Sequence, residues 1–193
     1  MAKYFQVGST PLTISIISEI LELNKSLKIS TESKKKIKEC RDYLDRRIND
    51  SEEPIYGVNT GFGALCDCKV SKEELQKLQK NLILSHACGT GDAIPQEVVK
   101  IMLLLKIQSL SYGHSGIQLN TIQRLIDMYN ANILPVVYEQ GSLGASGDLV
   151  PLAHLSLPLL GLGEVDVPGT RENGYYKRRK AAKILKRERW RPI

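Results

Sequence analysis

The chain is 193 residues long, 42% hydrophobic and 25% charged, close to ordinary globular domains and unlike collagen-like, disordered or membrane-spanning chains. Its net charge of +6 is local: residues 171–193 hold 10 Lys/Arg against 2 Asp/Glu, which leaves 17 against 19 in residues 1–170. A basic tail on a mildly acidic body, with only Tyr175, Tyr176 and Trp190 to stack on bases, predicts no nucleic-acid partner.

In chain order, Lys3–Val7 reads as a short strand, and the first twenty residues lack the sustained apolar run of a signal peptide. After Ser30, the spacing of Ile37, Cys40, Leu44 and Ile48 predicts an amphipathic helix. Four cysteines (Cys40, Cys66, Cys68 and Cys88) without an export signal read as reduced thiols of a cytoplasmic protein. Cys66 and Cys68 lack a second ligand pair at metal-binding spacing, so they read as loop thiols and no metal is expected. Ser71 and Glu74 form an S-x-x-E capping box ahead of Leu75, Leu78 and Leu82, which share one helical face. Pro95 suits a first helical turn, and Val98 to Leu110 is apolar nearly all round, predicting a deeply buried helix.

Leu119, Ile122, Leu125, Ile126 and Tyr129 make another stripe; Val136–Tyr138 reads as a strand, and Leu149 to Leu160 as a further helix despite two prolines. The longest aliphatic run, Ile101 to Leu105, has five residues, and the uncharged stretch from Leu149 to Gly163 is interrupted by Pro151, His154 and Pro158. Both fall short of the roughly 18–20 apolar residues that span a bilayer, so no membrane partner is expected. Lys177 to Arg191 reads as a basic helix whose apolar positions Ala181, Ala182, Ile184 and Leu185 await a cover supplied from elsewhere. The predicted fold is mainly α with minor β content, and His114 and His154 read as solvent-facing and packing residues.

Three glycine-rich connections separate these helices: Tyr56 to Gly63 (YGVNTGFG), Gly89-Thr90-Gly91, and Gly141 to Asp148 (GSLGASGD). The third fails the common motifs. Position 148 is Asp where a nucleophile elbow needs Gly, no Lys follows as in a P-loop, and Gly141 and Gly144 are three apart rather than two. Its chemistry can instead be internal. The backbone nitrogen of Gly147 can attack the carbonyl of Ala145, because neither residue crowds the approach. Loss of water from that ring and from the Ser146 hydroxyl leaves an exocyclic methylene conjugated to an imidazolone, a strong electrophile made without an external cofactor. A small-residue turn capped by Asp148 is the alternative account of the tripeptide taken alone.

The segments GSLGASGDLVPLAHLSLPLLGLGEV, YGVNTGFGAL and NLILSHACGTG, in that family's order, resemble the N-terminal part of the aromatic amino acid ammonia-lyases, and among them the histidine ammonia-lyases. The resemblance runs from about Tyr4 to the end of the chain. It implies the helical ammonia-lyase fold and makes Ala145, Ser146 and Gly147 the source of 4-methylidene-imidazol-5-one. It also implies that Tyr56 is the base that removes the substrate's β-proton. A tyrosine phenol ordinarily holds its proton to about pH 10, so that role calls on helix N-termini and backbone N–H groups to stabilise a phenolate.

By the same resemblance Asn59 and Gly63 contact substrate, with Gly57 and Gly61 allowing close backbone approach, and Ser85-His86 is the histidine-lyase form of the pair that recognises the substrate ring. An imidazole partner suits His86, which donates or accepts according to its tautomer. The implied reaction is the non-oxidative deamination of L-histidine to trans-urocanate and ammonia by a homotetramer. Tyrosine or phenylalanine lyases, or a non-catalytic lyase-like short protein, are the alternatives. The family's downstream Asn, its Gln/Tyr/Arg carboxylate clamp and its distal Glu have no counterpart here. Residues 1–193 are therefore expected to be one N-terminal portion of a longer catalytic domain, inactive alone.

Overall fold

The computed structural model describes residues 3–50, 53–61, 63–142, 149–169 and 176–193. The chain opens with strand β1 (Tyr4–Val7), helix α1 (Ile14–Glu22) and strand β2 (Ser26–Ile29), with β1 and β2 paired in parallel. Thr13 caps α1 by accepting the Ile16 N–H at 3.2 Å. Helix α2 (Thr31–Asp50) follows at once, its first turn held by the Ser30 hydroxyl, which accepts the Ser33 N–H at 3.1 Å. Both caps satisfy donors that the first turn of a helix would otherwise leave unpaired.

The core forms around helix α4 (Gln96–Ser111) and helix α5 (Leu119–Asn130), which pack on each other. Leu103, Leu104 and Ile107 of α4 and Ile122 of α5 are fully excluded from solvent. The expectation that α4 is buried all round needs correcting: Val98 and Leu105 are each 45% exposed, so one edge of the helix reaches the surface. Pro95 is its N-cap rather than its first helical residue. On the edge of β2 away from β1, the Asn130 side chain accepts the Leu27 N–H at 2.7 Å and donates to the Leu27 carbonyl at 3.0 Å, standing in for a further strand.

Helix α3 (Leu75–His86) precedes α4 and leads into strand β3 (Thr90–Ala93). The Ser71–Glu74 capping box does not form. Lys72–Glu74 is a short tight turn in which the Glu74 N–H reaches the Ser71 carbonyl, and no side chain caps α3 at Glu74.

After α5 come strands β4 (Leu134–Pro135) and β5 (Tyr138–Gln140), in different sheets. The single strand expected over Val136–Tyr138 is thus divided. The Val136 N–H bonds to Glu164 on one side, while the Val137 carbonyl accepts from Ile94 on the other. Helix α6 (Leu149–Ser156) continues through a helical turn at Leu157–Leu160 into strand β6 (Glu164–Pro168), which pairs antiparallel with both β4 and strand β7 (Tyr176–Lys180).

The basic stretch is also corrected. Its first part is β7, and only Ala181–Arg187 is helix α7. Ala181, Ile184 and Leu185 are covered by this chain's own core rather than awaiting another segment, and Ala182 is exposed. Arg178 earns its place in a strand by reaching Asp166, which is 5% exposed, with Nε and Nη2 at 3.2 and 3.3 Å. Gln96 Nε2 adds a third bond to this carboxylate at 2.9 Å. A carboxylate taken out of water needs such compensation.

Candidate active site

The second and third glycine-rich connections meet. Strands β3 and β5 pair antiparallel, with Thr90 opposite Gln140, so the chain leaving α3 lies beside the chain entering the 141–148 segment. A Cβ on Gly141 would stand 3.2 Å from the Gly89 Cα and 2.8 Å from Val150 Cγ1, and Gly141 has φ +130°. A Cβ on Gly89 would stand 3.0 Å from His154 Nε2 and 3.2 Å from the Gln140 carbonyl. Two backbones touch here without side chains between them, which only glycine permits.

The first connection also reaches α3. Gln79, in the middle of α3, donates its Nε2 to the carbonyls of Val58 at 3.0 Å and Gly57 at 3.4 Å. Tyr56 stands next to Gly57 in this turn with 61% of its surface exposed. Asn59 is 3% exposed and folds its Oδ1 back onto the Ile55 N–H at 2.6 Å, while its backbone carbonyl accepts from Val70. Its side chain therefore braces the Tyr56 turn from within. Gly63 starts a short helical turn at Gly63–Leu65, in open space.

Ser85 and His86 end α3. The Ser85 hydroxyl donates to the Leu82 carbonyl at 3.1 Å and lies 3.2 Å from His86 Nδ1. His86 Nδ1 is 2.7 Å from the same carbonyl. A carbonyl only accepts, so this nitrogen carries the proton, and in the neutral ring Nε2 is the acceptor. Helix geometry thus fixes both the rotamer and the tautomer of His86.

His154 is buried as expected, but packing is only part of its role. On α6, which packs against α3, its Nε2 accepts the Gly89 N–H at 2.9 Å, and its ring meets Tyr138 edge-on at 5.2 Å. Burial holds its pKa below the ordinary histidine value. Sequence reasoning missed this contact because the partner is a backbone group 65 positions away. The one available signal was a histidine on the apolar side of a helix that directly follows a glycine-rich segment. His114 is exposed, as expected.

Ala145, Ser146 and Gly147 lie outside the described residues. The described chain stops at Ser142, just past Gly141, where a side chain would collide with Gly89, and resumes with α6 at Leu149. Ser85 and His86 thus end α3, whose Gln79 also holds the Gly57–Val58 turn beside Tyr56, and the chain just past α3 is tied to α6 through Gly89 and His154. Among the described residues, no cluster of His, Cys, Asp or Glu could hold a metal ion.

The sequence matches the family model described as aromatic amino acid lyase over residues 12–193. It is 45% identical over 165 residues to a histidine ammonia-lyase of Legionella pneumophila (strain Lens), covering 86% of this chain and 32% of that protein. To a histidine ammonia-lyase of Caldanaerobacter subterraneus subsp. tengcongensis it is 42% identical over 179 residues, covering 93% and 35%. The chain spans about a third of the length of these curated relatives. Among solved structures, the histidine ammonia-lyase from Trypanosoma cruzi superposes with a TM-score of 0.82 at 33% identity, over 97% of this chain and 35% of that one. The ergothioneine degrading enzyme Ergothionase from Treponema denticola gives 0.88 at 25% identity, over 98% and 36%.

Proposed function

The chain belongs to the aromatic amino acid lyase family, and from that membership we propose that it forms part of an enzyme that deaminates L-histidine to trans-urocanate and ammonia. The observation that carries the substrate assignment is His86, whose Nδ1 is engaged by the Leu82 carbonyl. Its Nε2 is then the acceptor for an imidazole N–H, a contact that a phenyl ring cannot make. The group that Ala145, Ser146 and Gly147 form by loss of two waters supplies an electrophile. The rest of the work falls to ordinary side chains. Tyr56 takes the β-proton, Asn59 braces its turn from within while Gln79 holds it against α3, and Ser85 with His86 orients the ring. The reaction is redox-neutral: the β C–H and Cα–N bonds break, a Cα–Cβ double bond forms, and the proton and amine leave.

Because the chain covers about a third of its relatives, the proposal includes an active site completed by further residues in a cytoplasmic homotetramer, with residues 1–193 inactive alone. The test is kcat/KM for L-histidine, L-tyrosine and L-phenylalanine on protein from the native reading frame, with its intact mass. We expect a mass two waters below the sequence mass. A polar group buried under the substrate ring and left unpaired costs about 1–3 kcal/mol, so L-histidine should be preferred over L-phenylalanine, whose ring has no donor, by roughly tenfold to a hundredfold from this contact. A preference for L-tyrosine or L-phenylalanine overturns the substrate assignment, and an unmodified mass in active protein overturns the electrophile. Urocanate production by the isolated 193-residue chain overturns its predicted inactivity.

A further inference from the structure

We propose that His154 is a positioning residue of the site: by accepting the Gly89 N–H it fixes the ring-recognition end of α3 relative to the helix that follows Ala145-Ser146-Gly147. The inference rests on the lyase reading above.

The hydrogen bond is 2.9 Å long and joins positions 65 apart. On one side, Gly89 is three residues beyond His86, a reach of at most about 10 Å even in a fully extended chain. On the other, His154 is five residues beyond Leu149, where α6 begins two positions after Gly147, about 7–8 Å at roughly 1.5 Å per residue. The bond therefore ties the chain just past His86 to α6 within two turns of its start, so a slip there shifts the end of α3 against α6.

The ring itself has little freedom. It is 7% exposed, its plane stands at 77° to the Tyr138 ring, and Gly89 abuts it so closely that a Cβ there would meet Nε2 at 3.0 Å. Since a backbone N–H only donates, Nε2 is unprotonated and the neutral ring carries its proton on Nδ1. Burial favours this neutral form. A leucine would fill much of the space but offer no acceptor, leaving the Gly89 N–H unpaired. A glutamine places its Oε1 near the position of Nε2 and restores the acceptor.

The experiment compares wild type, His154→Leu and His154→Gln in protein from the native reading frame. For the Leu variant we expect kcat/KM for L-histidine to fall about a hundredfold, as a misplacement near 1 Å does, mostly through KM. Its mass should still be two waters low, showing that the tripeptide matures. The Gln variant should recover most of the loss. In parallel, hydrogen exchange at the Gly89 amide should accelerate in the Leu variant and return in the Gln variant.

Wild-type kinetics in the Leu variant, failure of the Gln variant to recover, or loss of maturation in the Leu variant would each overturn the proposal. If the wild type deaminates none of the three amino acids, the lyase reading fails, and Gly89 exchange alone judges the tether. Acceleration reversed by Gln sustains it as the contact that positions this loop, and unchanged exchange removes it.

Discussion

Gly141→Ala tests the backbone contact on which the site is built. Two costs are separable. A non-glycine residue forced to hold φ +130° is strained by about 1–3 kcal/mol. The new methyl would also stand 2.8 Å from Val150 Cγ1 and 3.2 Å from the Gly89 Cα. The valine is stiff at χ1 and the glycine contact is with backbone, so overpacking adds about 1–3 kcal/mol. The sum, about 2–6 kcal/mol, is a large part of the roughly 5–15 kcal/mol that keeps a domain folded. At roughly 2–4 °C per kcal/mol for a chain of this size, Tm should fall by about 4–24 °C. Gly63→Ala is the control. Gly63 also has positive φ, at +57°, but a Cβ there meets nothing within 4 Å, so only backbone strain of about 1–2 kcal/mol applies. Urea denaturation followed by far-UV circular dichroism measures both variants, with an unchanged m-value as the check on comparability. If Gly141→Ala costs no more than Gly63→Ala, the close approach of the two glycine-rich segments is wrong.

Three further outcomes are expected. Tyr56→Phe should leave stability almost unchanged, because the side chain is 61% exposed, while turnover of L-histidine drops about 10²–10⁴-fold in steady-state assays. Asn59→Ala strips the Ile55 N–H of its 2.6 Å acceptor and should cost about 1–3 kcal/mol by chemical denaturation. Stability should also fall on acidification through His154. Its folded pKa is depressed by burial, so the unfolded chain binds the proton first. The His154 contribution is complete above the unfolded value of about 6.5 and erodes as pH falls from there towards the folded value, by at most about 1.4 kcal/mol per pH unit. Denaturation midpoints between pH 7.5 and 5 should show the decline, and His154→Gln should flatten it.

The helices were legible in the sequence because their periodicity is intrinsic to them. Ile37, Leu103, Ile122 and Leu125 all face the core as their spacing requires. The sheets were less so. Tyr176-Lys177-Arg178-Arg179-Lys180 carries no apolar alternation, and it is a strand because β6 offers a backbone edge and Asp166 a buried charge to Arg178. Strand preference of that kind comes from the neighbour rather than the segment. Val136 and Val137 misled for a related reason, since successive residues bond to different sheets. Of the candidate site, Tyr56, Ser85 and His86 were named from their motifs, and the structure adds that α3 ends in Ser85-His86 and holds the turn beside Tyr56 through Gln79. The part played by His154 depends on a long-range backbone contact, which no local pattern encodes.

Helix α3 has no fully buried residue of its own, although it carries Ser85 and His86 and braces the Tyr56 turn. That sets an order of events during folding. Leu103, Leu104, Ile107 and Ile122 on α4 and α5 can coalesce early, from contacts close in sequence. By contrast, α3 gains its place through partners distant in the chain, Gly89 with His154 among them, whose loop-closure entropy must be met first. Substitutions at Leu78 and Leu82 should therefore speed unfolding and leave the folding rate nearly untouched, whereas those at Leu103 and Ile107 should slow folding itself. The end of α3 that carries Ser85 and His86 would be the last region to consolidate and the first to open.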